Sequence, residues 1–189
     1  EEINQTHENE KKNVIPLPDR DQNLSYENEN TQADIDSNSP VTPGILQIQA
    51  LDKAFSPDEF LQGARSAYEM VIMAYAGVDD DVLRQLLSDD VYDNFSSSIE
   101  ERIAKGQYLD TTLLSIQSSD IVEARLNKGF AELTVKFVAE IINVIREEDG
   151  EVISGDPENS QEVTDYWTFS RELVSADPNW KLIETRSLQ

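Results

Sequence analysis

The chain is 189 residues long, sets 38 acidic side chains against 15 basic ones for a net charge of −23 at pH 7, and has no cysteine. This composition excludes disulfides, thiolate nucleophiles and Cys-based zinc sites, and it opposes nucleic-acid binding, which needs Lys and Arg clustered against phosphate. The same charge opposes adhesion to anionic lipid and favours a basic partner, such as a cationic amphipathic segment.

The length suits one domain with extensions. The first residue is Glu1 rather than Met, which reads as a processed or trimmed product. The longest apolar run, Met70–Ala76, falls far short of the roughly 20 residues that span a bilayer. No signal-peptide pattern is present. Residues 1–50 are dominated by Asn, Gln, Glu, Asp and Pro, with Lys11, Lys12 and Arg20 as the only strong bases. Such a segment buries too little apolar area to offset its ordering entropy, and it reads as a disordered acidic linker or tail. It also holds the only histidine, His7, so the folded part lacks the usual general base and metal ligand. Val41–Leu51 is less polar and reads as linker, with a short docked segment as the alternative.

The folded domain, 51–189, opens at Phe55–Phe60. Ser56 is placed as a helix N-cap, Pro57 at the first helical position, and Glu59 as the partner in an S-x-x-E capping box. Phe55 and Phe60 occupy the staple positions. Phe60, Leu61, Ala64, Tyr68, Val71, Ile72 and Tyr75 then recur at helical spacing up to Gly77. Met70 and Met73 flank this face as adaptable core filler. Asp79-Asp80-Asp81 starts a second, short helix around Val82, Leu83, Leu86 and Leu87. The acid run reads as a cap favoured by the dipole, since calcium loops need spaced oxygen ligands and a bend glycine. Asp89 and Asp90 cap a third helix, with Val91, Tyr92, Phe95, Ile99 and Ile103 inward, ending at Gly106.

After Gly106 the period changes to that of strands. Leu109–Leu126 is β-prone, Asn127-Lys128-Gly129 makes a short hairpin loop, and Phe130–Arg146 is a long strand whose apolar phase slips near Ala139–Val144, as at a bulge or bend. Glu147–Ser160 reads as an acidic loop. Val163–Leu182 closes the chain as a hairpin holding both tryptophans. Val163, Trp167 and Phe169 alternate on one face, and Ala176-Asp177-Pro178-Asn179 supplies the turn. Asp165 shares that apolar face, so its carboxylate must be hydrogen-bonded, paired or at the rim of a cavity. Three helices followed by a bent four-stranded antiparallel meander is an α+β order, and helices on one face of such a sheet leave a cone with an opening.

The blocks FSPDEFLQGARSAYEMVIMAYA, LRQLLSDDVYDNF, SIEERIAKGQ, VTDYWTFSRE and DPNWKLIET together resemble the Tim44-like domain family, over roughly Phe55–Arg186. That family spans a mitochondrial inner-membrane translocase subunit, a mitoribosomal relative and bacterial inner-membrane homologues. The resemblance implies the nuclear-transport-factor-two-like cone and a non-catalytic, membrane-tethered adaptor with a binding cavity. Its expected partner is a protein segment or a membrane protein in translocation or assembly. It further implies an anchor upstream of Glu1 in a bacterial inner membrane, with the domain on the cytoplasmic side. The expected cavity lining is Tyr68, Tyr75, Trp167, Phe169 and Trp180, with Asp165 as polar handle. No catalytic residue, metal or other cofactor is expected. A peripheral lipid-binding domain is the alternative. Asp58, Glu59, Glu69 and Asp79–Asp81 face only Arg65 and Arg84 on the first two helices, so lipid contact there should be weak. An isomerase or dehydratase using Asp165 is a third reading. The expected state is a monomer or a dimer.

Overall fold

The structure, a computed structural model, describes residues 39–188. The disordered linker expected over residues 1–50, and with it His7, lies for residues 1–38 outside the described residues.

The long helix forms where the capping signals place it. Ser56 Oγ accepts the Glu59 amide and Pro57 starts the helix Pro57–Gly77. Its buried stripe is Phe60, Ala64, Tyr68, Val71 and Ala74. In chain order the elements are α1 Thr42–Leu51, α2 Pro57–Gly77, α3 Asp80–Leu86, α4 Asp89–Ala104, β1 Gln107–Asn127, β2 Phe130–Glu147, β3 Val152–Ser154, β4 Gln161–Glu172 and β5 Lys181–Leu188. The strands form one open antiparallel sheet in the order β1-β2-β4-β5, with β3 on β2. The fold is thus α+β, with four helices and five strands in place of the expected three and four.

Both additions have local causes. Val41–Leu51, read as linker, is α1. Its Ile45 and Ile48 are buried, and Gly44 lets the helix backbone lie against the Ala124 carbonyl of β1. Part of the expected acidic loop is β3, which takes over from β4 as the partner of β2. The β2–β4 ladder ends at Ile141↔Gln161, and β3 pairs at Ile145 and Arg146. The apolar phase of β2 slips in that handover. The bulge expected there lies instead in β1, between Leu113 and Ser115, opposite Ile141 and Glu140.

Smaller signals differ as well. Ser88, not Asp89 or Asp90, caps α4 by accepting the Val91 amide, while Asp79 caps α3 as expected. Gly77 is the last helical residue of α2, and the left-handed cap falls on Val78 at φ 58. Met70 and Met73 are not core filler, being 45 % and 46 % exposed.

The core lies between the helices and one face of the sheet. Odd-numbered β2 residues Ala131–Ile141 pair with odd-numbered β4 residues and point at the helices. The hairpin end of the chain stitches the helices together. Ser88 N donates to Leu182 O at 2.9 Å, and Lys181 Nζ donates to the Arg84 and Gln85 carbonyls at the end of α3. Arg102, on α4, donates to the Tyr75 carbonyl at 2.8 Å, satisfying an acceptor that the end of α2 leaves open.

Candidate binding site

The strand period of β4 puts Asp165, Trp167 and Phe169 on the face that meets α2. Tyr68 packs on the rings of Phe137 and Trp167, at 4.5 and 4.6 Å, and those two rings meet each other edge-on at 5.9 Å. Phe60 meets Phe169 edge-on at 5.9 Å and Trp180 at 4.7 Å. These contacts fill the middle of the helix–sheet interface and leave a concavity on either side.

The larger concavity, about 800 Å3, lies between the C-terminal half of α2, α4 and the sheet. Val71, Ile72, Tyr75, Phe95, Ile141 and Trp167 supply its apolar wall. Its polar rim includes Asn94, Ser98, Asn143, Gln161 and Ser187. Asp165 and Glu162 are its charged lining residues, and among the described residues no Lys or Arg lines it. The smaller groove, about 390 Å3, lies at the N-terminal half of α2, between Phe55, Gly63, Met70, Phe169 and Trp180.

The structure therefore does not bring the six expected residues round one opening. Tyr75, Asp165 and Trp167 line the larger cavity, and Phe169 and Trp180 line the groove. Tyr68 lines neither; at 0 % exposure it is the partition between them. Its phenol donates to Asp165 Oδ2 at 2.7 Å. Burial, with the Asp165 charge beside it, pushes its pKa far above the ordinary tyrosine value, so it stays protonated and acts as a donor. Ser187 Oγ donates to the other oxygen, Asp165 Oδ1. Tyr75 is half-buried, bonded to Ser98 Oγ at 2.7 Å and packed beneath the Arg102 guanidinium. Arg171 pairs with Asp52, not with Asp165, and lies over the Trp180 ring. That pairing holds the Asp52 carboxyl below its ordinary value.

Sequence reasoning missed Asn94 and Ser98, although Phe95 between them read as inward; a polar residue on either side of an inward aromatic is the signal that was there. Ser187 gave no signal, because its role comes from pairing opposite Asp165 across β4 and β5. Elsewhere, Glu147, Asp149 and Glu151 gather three carboxylates at the β2–β3 turn, all exposed. Among the described residues no helix is long and apolar enough to cross a membrane.

Comparison with known proteins places this geometry in a family. The Tim44-like domain model matches residues 42–187. The human mitochondrial import inner membrane translocase subunit TIM44 is 24 % identical over 151 residues, covering 78 % of this chain and 33 % of that protein. The probable counterpart tin-44 of Caenorhabditis elegans is 23 % identical over 148 residues, covering 76 % of this chain and 35 % of that one. The large ribosomal subunit protein mL45 of Drosophila melanogaster is 21 % identical over 178 residues, covering 91 % and 46 %. The chain thus spans between a third and a half of the length of these relatives. The intermembrane-space region of chloroplast protein ARC6 aligns with a TM-score of 0.47 at 15 % identity, over 68 % of this chain and 95 % of that one. With the family match running from α1 to the end of β5, the chain belongs to the Tim44-like domain family.

Proposed function

We propose that the domain is a non-catalytic adaptor that holds a segment of a partner protein in its larger cavity, during membrane protein translocation or assembly. The observation that carries this is the half-apolar cavity of about 800 Å3 in a chain of this family, whose relatives include translocase subunits of the mitochondrial inner membrane. Its wall of Tyr75, Phe95 and Trp167 offers broad contact at low entropic cost, and Asn94, Asn143 and Gln161 can bond a peptide backbone. The proposed domain extends N-terminally from the expected 51–189 to take in α1, whose Ile45 and Ile48 pack in the core. Its bent sheet with helices on one face fits the nuclear-transport-factor-two-like cone. The expected location is the cytoplasmic side of a bacterial inner membrane, behind an anchor and an acidic linker.

The enzymatic reading gains nothing from the site. Both oxygens of Asp165 already accept hydroxyls, and no histidine lies in residues 39–188. The lipid reading would have α2 give its apolar face to a bilayer, but Phe60, Tyr68 and Val71 of that face are buried against the sheet.

The test is site-specific photo-crosslinking in native membranes from position 95, in the cavity wall, with position 184, on the opposite sheet face, as control. Discrete protein adducts from 95 and none from 184 are expected. A folded domain that yields only lipid adducts, or the same adducts from both positions, would sink the adaptor reading.

A further inference from the structure

The larger cavity holds a buried charge that nothing described in the chain neutralises. Asp165 is 8 % exposed, lines the cavity, and takes part in none of the ion pairs among the described residues. Its two oxygens accept one hydroxyl each, from Tyr68 and Ser187. An ionised carboxylate offers about four acceptor positions, so roughly half of its capacity is unfilled. Tyr68 contributes only a hydrogen bond, since it keeps its proton. A desolvated carboxylate is costly unless paired, and here it lines a half-apolar cavity whose other charged lining residue, Glu162, is also negative.

We propose that the cavity receives an apolar body carrying one positive charge, an ammonium or guanidinium on hydrocarbon, with Asp165 as its counter-ion. The hydrocarbon lies against Ile72, Phe95 and Trp167, and the cation reaches the free lone pairs of Asp165. Phosphate and carboxylate head groups are disfavoured, because they would meet two carboxylates and no cation. This deepens the adaptor reading and rests on the same cavity. The cation has two sources, a Lys or Arg side chain of a partner segment, or a small aliphatic amine.

The experiment uses Trp180→Phe, which changes the separate groove and leaves Trp167 as the only tryptophan. Its emission is followed on titration with octylammonium, octanol and octanoate in about 0.15 M salt, which screens the chain's net charge beyond about 8 Å. Octylammonium should bind at least about tenfold more tightly than octanol, as a bond to a charged partner implies, with octanoate weakest. Asp165→Asn should bring octylammonium close to octanol. Because Asp165 also holds Tyr68, that variant can fail to fold. Ser187→Lys, at an exposed position on the edge strand beside Asp165, supplies an internal ammonium and should likewise abolish the preference. Equal affinities in the parent, or a preference that survives both substitutions, would overturn the proposal. A short amphipathic peptide with one apolar-face Lys, against the same peptide with norleucine, separates the sources. Dependence of the Lys peptide on Asp165 assigns a partner side chain, and dependence of octylammonium alone assigns a small amine. An amine preference without position-95 adducts retires the adaptor reading and keeps the subsite. Adducts unchanged by Asp165→Asn, with no amine preference, do the reverse.

Discussion

Gly44→Ala tests how α1 is held. A methyl group there would sit 1.9 Å from the Ala124 carbonyl oxygen and 2.4 Å from its carbon. Both are backbone atoms of a paired strand, so neither can swing aside. Restoring ordinary contact means lifting the helix by roughly 1.5 Å, enough to lose most of the dispersion contact beneath it. Ile45 and Ile48, at 3 % and 0 % exposure, would be unseated. Burying such side chains is worth about 1.5–3 kcal/mol each, which caps the loss near 3–6 kcal/mol. The higher helix propensity of Ala returns about 1 kcal/mol. The expected net destabilisation is therefore about 2–5 kcal/mol, read by urea unfolding, with early hydrogen exchange across α1. Gly63→Ala is the control, for nothing lies within 4 Å of its added Cβ. It should stabilise by about 0.5–1 kcal/mol, the propensity gain alone. Should both substitutions stabilise, the close approach of α1 to β1 is not what positions that helix.

Other consequences can be checked on the same unfolding curves. Val78 is β-branched and left-handed at φ 58, so Val78→Gly should raise stability by up to about 1 kcal/mol as strain is relieved; a loss would mean its side chain matters more than its backbone. Asp52 is held below its ordinary value by Arg171, so the stability that separates the parent from Asp52→Asn should be present above about pH 3.9 and disappear as pH falls through the lower folded-state value. A difference that persists into strong acid would refute that linkage. Thr134 and Thr168 are each 2 % exposed and share a 2.9 Å hydrogen bond. Either single change to Val should cost about 1–3 kcal/mol by orphaning the other hydroxyl, and the double change less than the sum. Tyr68→Phe removes one of the two donors to Asp165 and should cost about 1–3 kcal/mol with the sheet intact; a neutral result would mean that water replaces the phenol.

What could be read in the sequence was what local chemistry decides. The start of α2 is set by Ser56 and Pro57, which act within one turn, although the Glu59 carboxylate does not complete the expected capping box, and the inward face of β4 by the period of Val163, Trp167 and Phe169. The hairpin at Lys128 and Gly129 follows from two residues at positive φ, 49° and 89°. α1 was not legible, because its N-cap Val41 makes no side-chain cap bond and it has no acid in its first turn or base in its last. It is a helix because of what it packs on, a strand some 80 residues away in the chain. β3 escaped for the same reason, since three residues become a strand only where β4 leaves the edge of β2 free. Asp165 was flagged by its place on an apolar face, but its partners Tyr68 and Ser187 lie 97 and 22 residues away, beyond any local pattern.

The division of the interface into two concavities follows from two periods meeting at one side chain. Along α2, the turn that carries Tyr68 separates Phe60 and Ala64, which border the groove, from Val71 and Tyr75, which border the cavity. Along β4, the same height separates Phe169 and Arg171 from Asp165. Tyr68 is the α2 residue that bonds Asp165, and its ring packs on both Phe137 and Trp167. A leucine there would fill part of the space but leave the carboxylate without its donor; a smaller residue would join the two openings. The ring that reads from sequence as cavity lining is therefore the wall that makes the cavity. Its phenol bonds Asp165, whose carboxylate joins Asn94, Ser98, Asn143, Gln161 and Ser187 in the polar lining of the larger opening.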